Sequence, residues 1–417
     1  MPISQNALGG RILALAGQLA EWSDSSDSLS CTYLSPAHRA VATQIAAWMR
    51  EAGMTVETDA VGNVVGRHAA AAAGAKTLII GSHYDTVIDA GNYDGRLGIL
   101  TGLVAIEEFC RAGRILPFHV ELIAFSEEEG VRFSTPYIGS RAVAGRFDMH
   151  LLERRDSRGL SLGEAISKAG FNPETIPSLA RRPRDILSYI EIHIEQGPVL
   201  LREGLPVGIV TAIAGAVRYA VTVTGEAGHA GTVPMTLRHD AAAAAAEIVL
   251  CVERRCAQSP SLVGTVGRLN VPGGAANTIP GRCEMSVDIR ASDDVTRDAA
   301  IANILEDIAG IAKRRGVTIE HSETQRTPAV SCSHRLQDAL ARAVARSGIR
   351  PRHLPSGAGH DAVSFADVTE VGMLFVRCGN GGISHSPGET VTIADAEAAA
   401  RILIDFLQDI GSSHEHR

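Results

Sequence analysis

Residues 76–98 read KTLIIGSHYDTVIDAGNYDGRLG. The run TLII has the composition of a strand buried on both faces, as in a parallel sheet. It gives way at once to His83, Asp85 and Asp94, set among Gly81, Gly91, Gly95 and Gly98. Glycine costs backbone order, so a glycine-rich strand exit asks what the chain must approach closely there. His83 and Asp85 stand two apart at a strand end and leave the same face. The imidazole could then bind a metal while the carboxylate holds its other ring nitrogen. Asp94 heads a helix beginning near Leu97, and its two oxygens could bridge two cations. A helix cap at Asp94, with surface polar residues at His83 and Asp85, accounts for the fragment equally well. The stretch alone leaves both readings open.

Outward from it, helical and strand patterns alternate. AHRAVATQIAAWMREAG (37–53) reads as a helix, MTVETDA (54–60) and GNVVGRH (62–68) as strands, and the Ala-rich 69–76 as a loop. LGILTGLVAIEEFCRAG (97–113) is a helix and PFHVELIAFSEEEG (117–130) a strand ending in three acids. This alternation predicts an α/β fold whose mixed, largely parallel sheet is covered by helices. From 213 to 325 the pattern becomes βαββαβ with antiparallel alternation, which predicts a ferredoxin-like α+β domain. SHRLQDALARAVARSG and VGMLFVRCG then resume the first pattern. The expected organisation is a discontinuous catalytic domain, 1–212 and 326–417, with a lid or dimerisation domain at 213–325 inserted in it. The cleft between the two would be the natural place for chemistry.

Composition narrows the function classes. Lys and Arg total 39 against 47 Asp and Glu, a formal charge of -8. Mild acidity gives no footing for nucleic acid. The short basic clusters at 153–155 and 181–184 read as solvated loops. No apolar run is long enough to span a membrane, and the N-terminal MPISQNALGGRILALAGQLAEW reads as an amphipathic helix rather than a signal peptide. Seven scattered cysteines form no CxxC pair, so a reduced cytoplasmic setting is expected.

Further polar clusters sit at predicted strand ends. SEEEG (126–130) would repel itself unless cations or donors were present. His193 lies in the alternating strand YIEIHIEQGP (189–198), and His385 follows a glycine-rich turn in GNGGISHSPGE (379–389). Each is weak alone. Together they place three histidines and several carboxylates at the carboxyl ends of one inferred sheet, where parallel sheets bind ligands. That donor set suits zinc, manganese or cobalt better than calcium or magnesium. Two such ions sharing a water would lower its pKa, and an unliganded acid beside them could carry the proton. The chain has no G-x-S-x-G elbow, P-loop or HExxH.

The ordered set GSHYDTVIDAGNYDGRLG, EEEGVRF, EIHIEQGPVLL, TGEAGHAGTVPM, NTIPGRCEMSVDIR, GAGHDA and GGISHSPGE resembles the M20 metallo-amidohydrolases, in particular the hydantoinase/carbamoylase branch. That branch comprises N-carbamoyl-L-amino acid hydrolases, β-ureidopropionases and allantoate amidohydrolases. The resemblance implies two divalent ions, with His83 and His193 as terminal ligands of different ions and Asp94 as the bridge. Glu129 and His385 would share one ion, Glu128 would be the general base and Asp85 would orient His83. It also implies a non-proline cis bond after Asp94. His229 would stabilise the oxyanion in the partner subunit of a homodimer formed through the inserted domain. Gln196, Asn277, Arg290 and His360 would contact a small ureido or amide substrate bearing a carboxylate. The expected reaction is hydrolysis of N-carbamoyl-L-amino acids to ammonia, carbon dioxide and the free amino acid. Weighed against it are allantoate or β-ureidopropionate as substrate, an aminoacylase or dipeptidase of the wider family, and a non-catalytic metal-dependent binding protein. FSTPYIGSRAVAG (133–145) leans toward the carbamoyl amino acid enzymes.

Overall fold

The computed structural model describes residues 7–72 and 74–414. They form two compact units. One contains the described parts of 1–211, 332–354 and 360–417, and the other contains 212–331 and 355–359.

The main sheet of the first unit runs Thr55–Thr58, Val64–His68, His119–Phe125, Thr77–His83, Ile186–Ile194, Val371–Val376, Val207–Ile213. Its four middle strands, from His119–Phe125 to Val371–Val376, are parallel. The flanking pairings are antiparallel. Leu78, Ile79 and Ile80 are fully buried, as the TLII run requires, and every residue of His119–Phe125 is buried. Helices Ala7–Ala20, Pro36–Glu51, Arg96–Arg111, His334–Arg346 and Ile393–His414 contribute their apolar stripes to one large core with these strands. Residues 69–72 and 74–76 form no regular element, as expected. No helix among the described residues is long and apolar enough to cross a membrane.

In register, His83 lies beside Phe125 and His193 beside Phe375. The parallel strands thus stop at a common edge, each handing over to a polar loop there.

That edge decides between the two readings of the opening stretch. His83 and Asp85 are 2% and 1% exposed, so neither is a surface residue. Asp94 is not the cap of the following helix, since the N-cap is Gly95, which has no side chain to donate or accept. The expected cis bond after Asp94 is not found, because all peptide bonds among the described residues are trans. The chain turns instead through Gly95 at φ +65°, where a Cβ would meet the His83 ring at 2.5 Å. The basic cluster at 181–184 is also not merely solvated. Arg181 turns inward and donates to the buried Glu121 at 3.0 Å.

The second unit is an antiparallel sheet in the order Thr318–Thr327, Gly215–Thr224, Arg282–Ala291, Leu262–Asn270. Alternate residues Val217, Val221, Val223, Cys283, Met285, Val287 and Ile289 form a core with helices Ala241–Cys256 and Asp294–Arg315. A two-residue ladder pairs Gly228–His229 with Thr278–Ile279, so exposed His229 lies next to the segment that begins with Asn277.

Gly98 sets how closely helix Arg96–Arg111 packs on the sheet. A Cβ there would fall 2.0 Å from the Ile192 carbonyl oxygen and 2.9 Å from the Ser82 Cβ. Gly98→Ala should therefore destabilise the first unit by about 1–3 kcal/mol or more, measured as a lower denaturant midpoint at unchanged slope.

Candidate metal centre

Strand geometry delivers most of the expected residues to one place. His83 ends its strand and Asp94 precedes the helix. Glu128 and Glu129 follow strand His119–Phe125, and His193 lies in Ile186–Ile194. His385 comes from the turn after Val371–Val376, in left-handed backbone at φ +54°.

Asp94 is the hub. Its Oδ1 lies 3.3 Å from His193 Nε2 and 3.6 Å from His83 Nε2, and its Oδ2 lies 3.0 Å from His385 Nε2. Two ligand groups share it, His83–Asp94–His193 and Asp94–Glu129–His385. The geometry differs from the expected division of His83 and His193 between two ions, since their Nε2 atoms are 3.5 Å apart and face the same carboxylate oxygen. Each presents Nε2 because its Nδ1 donates to a carbonyl, Asp85 O at 3.1 Å and Ile194 O at 3.0 Å, which fixes the tautomer. Asp85 Oδ1 also lies 3.5 Å from His83 Nδ1, while the two Asp85 oxygens accept the Glu128 and Glu129 amides. One carboxylate thus ties the imidazole to the acidic loop.

The remaining expected residues divide between the units. His360 is buried with its ring 4.5 Å from that of His193. Gln196, at φ +55°, donates through Nε2 to Asp94 Oδ2 at 2.9 Å. His229, Asn277 and Arg290 belong to the second unit. There Arg290 forks onto Asp288 at 2.9 and 3.2 Å and donates to Gly357 O.

Several participants carry no signal in the sequence. Glu191 accepts from the Ala362 amide and the Tyr189 hydroxyl, and Asp361 is fully buried with neither oxygen hydrogen-bonded. His38 donates to Ser126 O at 2.6 Å, steadying the start of the acidic loop. Only the strand alternation that put Glu191 on the His193 side could have suggested one of them. Glu195, two residues beyond His193, accepts the Val199 and Leu200 amides.

The electrostatics show what this arrangement lacks. Burial pushes Glu127, Glu128 and Glu191 well above the usual carboxylate range. Burial, reinforced by Asp94, pushes Glu129 up to about 7. Burial also opposes ionising Asp94, yet His385, His83 and His193 together hold it well below that range. His385, bonded to Asp94, rises to about 9, whereas burial lowers His193 to about 4. Among the described residues of this unit, no arginine or lysine pairs with Asp94, Glu127, Glu128, Glu129, Glu191 or Asp361. Asp94 Oδ1 and Glu129 Oε1 are buried without a hydrogen-bond partner, although each faces an imidazole nitrogen. Unpaired oxygens aimed at imidazole nitrogens fit divalent cations, and the nitrogen–oxygen donor set fits zinc, manganese or cobalt.

Comparison with known proteins agrees with this chemistry. The model of peptidase family M20/M25/M40 matches residues 79–409. An N-carbamoyl-L-amino acid amidohydrolase of Geobacillus stearothermophilus is 42% identical over 86% of this chain and 88% of its own. Allantoate deiminase 2 of Glycine max is 41% identical over 94% of this chain and 88% of its own. An amidase of the hydantoinase/carbamoylase family from Burkholderia multivorans superposes with a TM-score of 0.90 at 32% identity, covering 96% of this chain and 97% of that one. The chain belongs to peptidase family M20/M25/M40, in its hydantoinase/carbamoylase branch. It is a hydrolase of carbon–nitrogen bonds in amides.

Cations that bind this cluster in the folded chain only should stabilise the fold by mass action. Removing divalent ions with a chelator should lower the melting temperature, and Mn²⁺ or Co²⁺ should restore it. At a hundredfold excess over Kd, one site contributes about 2.7 kcal/mol. Differential scanning fluorimetry across a metal titration reads this directly.

Proposed function

We propose that this chain hydrolyses the ureido group of N-carbamoyl-L-amino acids, using two divalent ions held around Asp94. The supporting observation is Glu128, a buried acid beside the three-histidine cluster and tied through its amide to Asp85. A binding module has no need of a second acid there. The relative from Geobacillus stearothermophilus supports the carbamoyl amino acid, and the Glycine max relative supports allantoate as the second reading. Both substrates combine a ureido carbon with a carboxylate.

In this reading His83 and His193 would hold one ion with Asp94, and Glu129 and His385 would hold the other with it. The ions, zinc, manganese or cobalt, would acidify a water and polarise the carbamoyl oxygen. Glu128 takes a proton from the attacking water as the water's oxygen bonds to the carbamoyl carbon, then delivers that proton to the departing nitrogen. The carbon–nitrogen bond to the terminal amide breaks, releasing ammonia. The carbamate left on the amino acid loses carbon dioxide and becomes the free amine. Asp85 keeps His83 in the tautomer that presents Nε2. Gln196, Asn277 and His360 contact the ureido group, and Arg290 pairs with the substrate carboxylate through its planar fork. His229 stabilises the developing oxyanion from the partner subunit of a homodimer built through the second unit.

Glu128→Gln should lower kcat by about 10²–10⁴ with bound metal unchanged, measured by stopped-assay kinetics beside metal analysis. Full activity in that variant would remove Glu128 as the base. Arg290→Ala should raise KM for carboxylate-bearing ureides while leaving kcat on ureides without a carboxylate unaltered. The substrate is tested by metal-reconstituted enzyme against N-carbamoyl-L- and D-amino acids, N-carbamoyl-β-alanine, allantoate and N-acetyl amino acids. Highest kcat/KM on the L-carbamoyl series is expected, and a clear maximum on allantoate would replace the first reading with the second.

A further inference from the structure

Glu389 lies outside both ligand groups, yet its carboxylate reaches the two segments that must stay in register for Asp94 and His385 to meet. Oε1 accepts the backbone amides of Tyr93 at 2.8 Å and Asp94 at 3.1 Å. Oε2 accepts the hydroxyl of Ser384 at 2.8 Å, and that hydroxyl is also 3.2 Å from Asp94 Oδ2. Ser384 immediately precedes His385. Glu389 is 4% exposed, so water offers little substitute for these bonds.

The two ligand groups differ in how their members are held. His83 and His193 lie in adjacent parallel strands and are buried, so the sheet itself fixes them. His385 stands on an irregular turn, in left-handed backbone, with its side chain 49% exposed. The turn has to be tied to the Asp94 loop by side chains, and Glu389 with Ser384 makes that tie. Gly91 makes room for it, since a Cβ there would fall 2.4 Å from both Glu389 Cβ and Oε1.

We infer that Glu389 is a positioning residue that locks the Asp94 loop to the His385 turn and thereby sets the affinity of the Asp94–Glu129–His385 cation position, leaving the His83–Asp94–His193 position to the sheet. This rests on the two-cation reading above. Outer-shell partners of metal ligands commonly control affinity by about 10–100-fold. Here the effect falls on one of two positions, because only one of them depends on a turn.

The test is a Co²⁺ titration of the chelator-stripped full chain, followed by visible absorbance and calorimetry, with bound cobalt counted after dialysis. Wild-type protein is expected to take up two ions per chain. Glu389→Ala should keep one ion at near wild-type affinity and weaken the other by about tenfold or more. Glu389→Gln should largely restore the second, since its Oε1 can still accept both amides. Ser384→Ala should weaken the same ion without touching the Tyr93 and Asp94 amides, and Gly91→Ala should reproduce Glu389→Ala by displacing the carboxylate. Melting of the metal-free variants reports stability separately from the ratio of the two affinities. Unchanged uptake of both ions in Glu389→Ala, or equal weakening of both, would overturn the inference while the two-cation reading stands. Failure of wild-type protein to bind a second ion would overturn that reading, and the inference with it.

Discussion

Carboxylates and imidazoles withdrawn from water at the carboxyl ends of four parallel strands are the constraint on which the rest of this structure turns. Asp85, Asp94, Glu127, Glu128, Glu191 and Asp361 are all buried, and among the described residues the ion pairs of Asp94 are to histidines alone. An isolated buried charge is costly enough that proteins neutralise it, pair it or give it a metal. Burial raises the carboxyls of Glu127, Glu128 and Glu191 above the usual range, whereas the three imidazoles around Asp94 hold its carboxyl below it. The cluster is therefore built around a carboxylate whose two oxygens face different imidazoles. That is the form in which a carboxylate can share itself between two cations.

The scaffold serves this arrangement through close approach. Gly98 lets helix Arg96–Arg111 come down onto the Ile192 carbonyl, and Gly95 lets the chain turn under the His83 ring. Glycines in the opening stretch thus mark contacts with the catalytic sheet rather than looseness. They bring the loop bearing Asp94 within reach of histidines contributed by other strands. Cavities or slack at these contacts would move the hub of the site, so packing and chemistry are here one requirement.

Much of this was legible in the chain. The apolar strands, their polar exits and the switch to a βαββαβ pattern follow from periodicity, and the three histidines with Asp94 and the EEE loop stand out as polar residues at strand ends. The internal grouping was not legible. That His83 and His193 face one oxygen of Asp94 depends on which strands are neighbours, and strand order is not written in local sequence. Asp361, His38 and Glu389 were invisible for a related reason. His38 and Glu389 bond backbone groups far away in the chain, Asp361 is buried with neither oxygen hydrogen-bonded, and nothing in GHDA or SPGE distinguishes a buried carboxylate from an exposed one. The bond after Asp94 shows the same limit in reverse, since a feature carried over by resemblance gave way to a turn that Gly95 makes in an ordinary trans chain.

A cage of this kind sets the type of reaction more firmly than the substrate. Cations held by its donors would polarise a carbonyl and acidify a water, and ureides, amides and peptides all offer the carbonyl. Discrimination must come from groups that read the rest of the molecule, and the chain assigns one strongly charged candidate, Arg290, to a different unit from the cage. Arg290 is already oriented there by a fork onto Asp288, which Arg218 grips at 2.7 Å from another strand of the same sheet. A guanidinium held in this way keeps its direction when a carboxylate is absent, so less ordering is required when one arrives. On the proposed reading Arg290 would meet a carboxylate that carbamoyl amino acids and allantoate share, and relatives named for each lie about equally near this sequence.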